Sequence, residues 1–275
     1  MKRIVVLLTR MERVDEVVAA AAKKSKRLGA GVTLLYVREE RLFELPVFSR
    51  REPSPEAIRE HLIEQIRHTG GEDWAVLVFD DDPVDRLLLE AEREHAVLII
   101  SDLTGEERAV LIDRAAIPLW LLEPETRHDC PRALLIVDPA YMGDCGLSEI
   151  RRIVDAGEWR AYMDYQIVPT MGTDLSMDPM LDTLNLDVAI DTEVMEARKK
   201  AFEECCKSEG IPARFEVGEL GIVGDILVHA EQEAAECLVL MVEDRQTLLA
   251  GALAELAQKA GRDLLIYYRD FCTEQ

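Results

Sequence analysis

Aromatic side chains make up only 5% of the 275 residues, too few to supply a stacking platform for single-stranded nucleic acid. Basic residues are also scarce, 32 against 54 acids for a net charge of -22, and such a balance repels the phosphate backbone of DNA or RNA and an anionic membrane surface. Neither nucleic acid nor membrane is therefore an expected partner. Long hydrophobic runs are missing too. The opening stretch MKRIVVLLTRMERVDE has an apolar core too short for a signal peptide and no small-residue cleavage site, so a cytoplasmic location is expected. The six cysteines, Cys130, Cys145, Cys205, Cys206, Cys237 and Cys272, form no CxxC pair and no zinc spacing, and are expected to be reduced thiols.

What is present is an alternating pattern. Arg3 to Thr9 is a continuous run of branched apolar residues, the signature of a strand covered on both faces. Val14, Val17, Val18, Ala21 and Leu28 then recur at helical spacing before Gly29, which predicts a crossover helix. A strand at Val32 to Val37, a helix carrying Ile58, Leu62 and Ile66 on one stripe, a strand at Trp74 to Phe79, a helix at Val84 to His95 and a strand at Val97 to Ser101 follow. A short helix around Val110 to Ala115 leads to a fifth strand, Ile117 to Leu122. Strands alternating with helices imply a parallel sheet.

After the linker from Pro124 to Pro131 the pattern restarts at Ala133 to Val137. Helix Leu147 to Ala156, strand Tyr162 to Val168, helix Val194 to Ser208, strand Arg214 to Val217, helix Ile222 to Ala235, strand Cys237 to Val242, helix Gln246 to Ala260 and strand Asp263 to Tyr268 complete a second unit. The expected fold class is α/β, with two tandem doubly wound, mainly parallel, Rossmann-like five-stranded sheets. The domains are 1–126 and 131–275, each long enough for its own core.

The segment from Gly221 to Met241, GIVGDILVHAEQEAAECLVLM, resembles the third-helix and fourth-strand region of universal stress proteins. Asp82 to Ser101 offers a weaker copy, and the fifth strands sit where that family places its dimer-forming strand. The resemblance implies intrachain pairing of the two domains through their fifth strands, in place of a homodimer. It also implies where a nucleotide would sit: an Asp ends the first strand, and a G-x-x-G-x9-G-[S/T] loop after the fourth strand holds the triphosphate. That loop is missing twice. The first half reads Ser101-Asp102-Leu103-Thr104-Gly105-Glu106-Glu107 and the second Val242-Glu243-Asp244-Arg245-Gln246. The first strand ends in Thr9 in one half and Asp138 in the other.

The candidate ligand residues are accordingly Asp138 with Gly218, Gly221 and Gly224, an anion-binding turn on one reading and a bare strand-to-helix turn on the other. Their spacing matches neither G-x-G-x-x-G nor a P-loop. Asp80, Asp81 and Asp82 read as a solvated turn capping the next helix. Of Cys205 and Cys206, about 100° apart on a helix, one is expected to face the core. His61, His68, His95 and His229 read as surface or helix-terminal residues, and His128-Asp129-Cys130 as neighbours that do not converge on a metal. The methionine-rich stretch Met171 to Val194 is either a lid on its own domain or a contact surface for a second chain or apolar ligand.

No catalytic constellation and no metal site are read from the sequence. The expected function is that of a non-enzymatic stress-response protein acting by binding and assembly, without a cofactor, as a homo-oligomer or with a protein partner. Its rivals are an adenine-nucleotide sensor, with ATP or AMP in the second domain, and a hydrolase or nucleotidyl transferase.

Overall fold

A computed structural model of the chain describes residues 2–38, 54–68, 74–124, 126, 128–140, 147–166, 192–218 and 221–269. Most of Met171 to Val194, together with Cys145 and Cys272, lies outside them.

The first half runs β1 (Arg3–Leu8), a 3-10 turn (Met11–Arg13), α1 (Val14–Leu28), β2 (Gly31–Arg38), α2 (Pro55–His68), β3 (Ala75–Asp80), α3 (Pro83–Arg93), β4 (Ala96–Ser101), α4 (Gly105–Arg114) and β5 (Leu119–Leu121). The second half repeats it with β6 (Arg132–Val137), α5 (Leu147–Ile153), β7 (Glu158–Tyr165), α6 (Thr192–Ser208), β8 (Ala213–Val217), α7 (Ile222–Gln232), β9 (Cys237–Val242), α8 (Leu248–Lys259) and β10 (Asp263–Tyr268). Local chemistry accounts for the boundaries. Gly29 closes α1 at φ 60, a left-handed conformation that costs glycine little. Asp82 starts α3 by accepting a hydrogen bond from the Asp85 amide at 2.8 Å, with Pro83 in the first turn.

The strands form one sheet of ten in the order β3-β2-β1-β4-β5-β10-β9-β6-β7-β8. Pairing is parallel within each half and antiparallel at the seam, where Leu264, Leu265 and Ile266 face Leu121, Trp120 and Leu119. The two five-stranded, mainly parallel sheets expected from the sequence are present and join through their fifth strands into one continuous sheet. The apolar residues likewise form one layer on each sheet face, and each layer contains side chains from both halves, for example Ile4, Trp120 and Val239 in one, Val5, Leu119 and Leu240 in the other.

Three register pairs are a short contact for two domains, and buried polar groups reinforce it. The buried Arg108 guanidinium donates to the carbonyl oxygens of Leu103 (2.6 Å), Leu122 (3.0 Å) and Ala257 (3.0 Å) and to Glu123 Oε2 (2.7 Å), joining α4 to α8. Asp263, at the start of β10, accepts from the Glu123 amide at 2.8 Å and from the Thr126 hydroxyl at 3.1 Å, lies 3.0 Å from His128 Nδ1, and accepts from Trp120 Nε1 at 3.4 Å. Lys24 places its ammonium 3.6 Å from the centre of the Trp120 ring. Arg245 donates to the Asp113 and Ala115 carbonyl oxygens across the same seam.

Four details depart from the sequence reading. Helix α4 begins at Gly105 rather than near Val110, because its first turn is polar and carries no apolar period. Strand β5 is only Leu119–Leu121, and β7 starts earlier, at Glu158. Cys130 and Cys237 form a disulfide with Cα atoms 5.5 Å apart, so the expectation of reduced thiols fails for this pair. Cys130 lies just before β6 while Cys237 opens the adjacent β9, opposite Ala133, and strand pairing brings together two thiols that lie 107 residues apart in sequence. Cys206 is a buried free thiol, and Cys205 is half-buried. No helix among the described residues is long and apolar enough to cross a membrane.

Burial of Lys24 strips water from its ammonium and pulls its pKa down to about 7, with Asp263 opposing. The folded chain therefore releases this proton near pH 7, whereas the unfolded chain holds it up to the ordinary lysine value of 10.5. Measured against Lys24→Met, wild-type stability should rise between those pH values by on the order of a few kcal/mol. Melting temperatures of both proteins across that range check it; parallel curves would contradict it.

Candidate functional site

In a parallel sheet the loops at the carboxyl ends of the strands collect the groups able to meet a ligand. In the second half these ends carry Asp138 after β6, Asp164 near the end of β7, Glu216 near the end of β8, and Glu243 after β9. Asp164 and Glu216 are register partners.

Asp138 is buried. Its amide donates to the Met241 carbonyl at 2.9 Å, and its Oδ1 accepts from the Ala140 amide at 2.9 Å, while Oδ2 is buried without a hydrogen-bond partner among the described residues. Burial raises its pKa, opposed by Thr247 and by the backbone amides of Ala140 and Glu243. Glu243 in turn accepts from Arg269 at 2.6 Å.

The three glycines do different jobs. Gly218 closes over the β7 acids: a Cβ built there would lie 1.8 Å from Gln166 Nε2 and 2.4 Å from Asp164 Oδ1. Gly221 sits at φ 85 immediately before α7, with open space around it. Gly224 lies inside the first turn of α7 rather than in the loop. Gln166 Nε2 donates to Asp164 Oδ2 and, at 3.2 Å, to Asp225 Oδ2. The glycine turn thus gathers around Asp164, Asp225 and Gln166, while Asp138 is held from β9 and the start of α8. No hydrogen bond among the described residues joins the two groups.

Sequence reasoning missed Asp164. Burial pushes its pKa up to about 6, with the Gln166 hydrogen bond opposing and Asp225 and Glu216 adding to the rise. The available signal was an acid ending an apolar strand, two residues after Tyr162. That tyrosine is fully buried and stacks on His229 with ring centres 4.2 Å apart. His229 occupies the last turn of α7 as a buried residue, so the surface part of its sequence reading is corrected. Burial lowers its pKa and favours the neutral imidazole.

The first half meets the same need with a different residue. Thr9, at the end of β1, donates from its amide (3.0 Å) and its hydroxyl (3.2 Å) to Oδ1 of Asp102. Asp102 follows β4 and is completely buried, with Oδ2 unpartnered among the described residues; burial raises its pKa against the Thr9 amide. The acid has moved one strand over.

Three backbone amides after β4 and β9 are engaged locally. The Leu103 amide donates to Ser101 Oγ at 3.2 Å, the Gln246 amide to Asp244 Oδ1 at 2.6 Å, and the Ala250 amide to Thr247 Oγ1 at 3.2 Å. The one base in the β9–α8 loop, Arg245, is spent on the seam. In the linker, His128, Asp129 and Cys130 diverge toward Asp263, Lys23 and Cys237. No group of three or more His, Cys, Asp or Glu among the described residues is arranged to hold a metal ion.

Residues 1–109 match the family model of the universal stress protein family. The first half is therefore similar in sequence to that family. No curated protein matches the chain. Its fold is similar over the full length to a putative universal stress protein of Pseudomonas aeruginosa UCBPP-PA14, at 15% identity and a TM-score of 0.63, with 99% of this chain and 95% of that chain covered. A universal stress protein of Archaeoglobus fulgidus DSM 4304 gives 12% identity and 0.60, covering 97% and 96%. A functionally unknown protein of Pseudomonas aeruginosa PAO1 gives 15% and 0.63, covering 98% and 93%. The universal stress protein fold therefore extends over both halves.

An Asp164→Asn variant should expose the cost of that buried carboxylate. The raised pKa means that the folded state holds a proton between about pH 4 and 6 that the unfolded state has lost. Wild-type stability falls across this interval, and the variant should gain on wild type by up to about 3 kcal/mol, the gain staying level above pH 6. Denaturant midpoints of both proteins at about pH 4, 6 and 8 measure it.

Proposed function

We propose that this chain is a stress-associated binding protein that works through assembly rather than catalysis, and without high-affinity adenine nucleotide. The similarity of the first half to the universal stress protein family supports the association with stress. The observation that carries the rest is the state of the carboxyl edge. The amides of Leu103, Gln246 and Ala250 are bonded to the chain's own side chains, and Asp102, Asp138 and Asp164 lie buried near the strand ends with their pKa values raised by burial.

A triphosphate needs free amides, a base or a bound cation to offset its charge. Here it would meet carboxylates, on a chain of net charge -22. The paired halves, whose seam is built from β5 and β10, retain the scaffold as an assembly surface.

Thermal-shift titration checks the reading. ATP or AMP at about 1 mM should leave the melting temperature unchanged, and ATP should be consumed no faster than with heat-killed protein. A rise that Asp138→Ala abolishes would establish the nucleotide-sensor alternative instead, and turnover above the control would establish an enzyme.

A further inference from the structure

The sheet edge opposite to these acids holds a cavity of about 690 Å³, within the range occupied by small organic ligands. Its floor is Val97, at the start of β4, and Ile117, on the approach to β5. Leu88 of α3 and Ile153 of α5 form walls, and Tyr267 of β10 completes it. The register Ile266 with Leu119 brings Tyr267 beside Pro118, so the cavity exists only because the second half is docked on the first. The α5 wall is held in place: Arg27 of α1 donates to the Arg151 (2.7 Å) and Arg152 (2.8 Å) carbonyl oxygens.

The charges around this cavity invert the balance of the chain. Lys2, Arg114 and Arg152 line it against Glu92 and Glu149, three bases to two acids in a protein with 32 bases and 54 acids. Arg114 is paired with Asp85 at 2.6 Å, and Glu149 accepts from the Tyr267 hydroxyl at 2.7 Å. Lys2 and Arg152 have no side-chain ion pair among the described residues, and both are exposed at the mouth.

We propose that this cavity binds a small organic anion with an apolar body, an aryl or acyl carboxylate. The apolar part lies against Val97, Ile117 and Tyr267, and the carboxylate turns toward Lys2 and Arg152. The site is independent of the carboxyl-edge reading above. Binding there requires no phosphate and uses neither Asp138 nor the glycine turn.

Calorimetric titration of the full chain with naphthalene-2-carboxylate and with nonanoate tests it, with naphthalene-2-carboxamide as the uncharged match. At least one carboxylate should bind, and the carboxamide should bind about tenfold more weakly or not at all. Lys2→Glu combined with Arg152→Glu, both at exposed positions, should weaken the carboxylate about tenfold without affecting the carboxamide. Ala116→Trp, which fills the cavity from an exposed rim position, should remove binding of both, with circular dichroism melts confirming that each variant is folded. If neither carboxylate binds at about 5 mM, a level that detects even weak fragments, the proposal is wrong. Equal binding of carboxamide and carboxylate, or carboxylate binding unmoved by both variants, would overturn it as well. An ATP titration in the same buffer reads the opposite sheet edge, so a failure of either reading is identified separately.

Discussion

The antiparallel pairing of β5 with β10 is the constraint on which the rest of the molecule depends. It spans only three register pairs, and β5 is itself three residues long. So short a contact needs support from outside the strands, and the chain supplies it with buried polar groups that are almost fully satisfied. Arg108 ties four oxygens around the seam, and Asp263 collects donors from β5 and the linker. Removing one member of such a network leaves buried charge without a partner, which costs far more than a surface ion pair. The Cys130–Cys237 disulfide lies on the same linker, pinning it to β9.

Joining the sheets has consequences at both edges. At the amino edge of the first half, the docked second half contributes Ile153 and Tyr267 and so encloses a cavity that neither half has alone. Near the carboxyl edge, Arg245, the one base between β9 and α8, reaches back to α4. The two halves have filled their carboxyl edges differently: Asp102 against Thr9 in the first, Asp138 against Ala140 in the second. In each case a buried acid accepts from a backbone amide at the strand ends.

Much of the fold was legible in the residues. The apolar spacing from Val14 to Leu28 and the glycine after it locate α1 because a helix must bury one stripe and stop where left-handed geometry is cheap. The run from Asp263 to Tyr268 locates β10 because an interior strand is covered on both faces. The candidate site was less legible. Gly218 reads as an anion-binding or bare strand-to-helix turn, yet its missing side chain makes room for Asp164 and Gln166, a contact between residues more than fifty positions apart. Asp102 reads as an acid that deters phosphate, and its bond to Thr9 spans 93 positions. The disulfide joins residues 107 apart. Periodicity reports which face of an element is buried, whereas these contacts depend on which strands become neighbours, and no local pattern encodes that.

The central proposal is that neither carboxyl edge holds an adenine nucleotide tightly. Native mass spectrometry of freshly purified protein tests it most directly, because any tightly held ligand travels with the chain. The account predicts a spectrum free of adenine-nucleotide adducts. An adduct with the mass of AMP or ATP, retained by wild type and lost in Asp138→Ala, would contradict it.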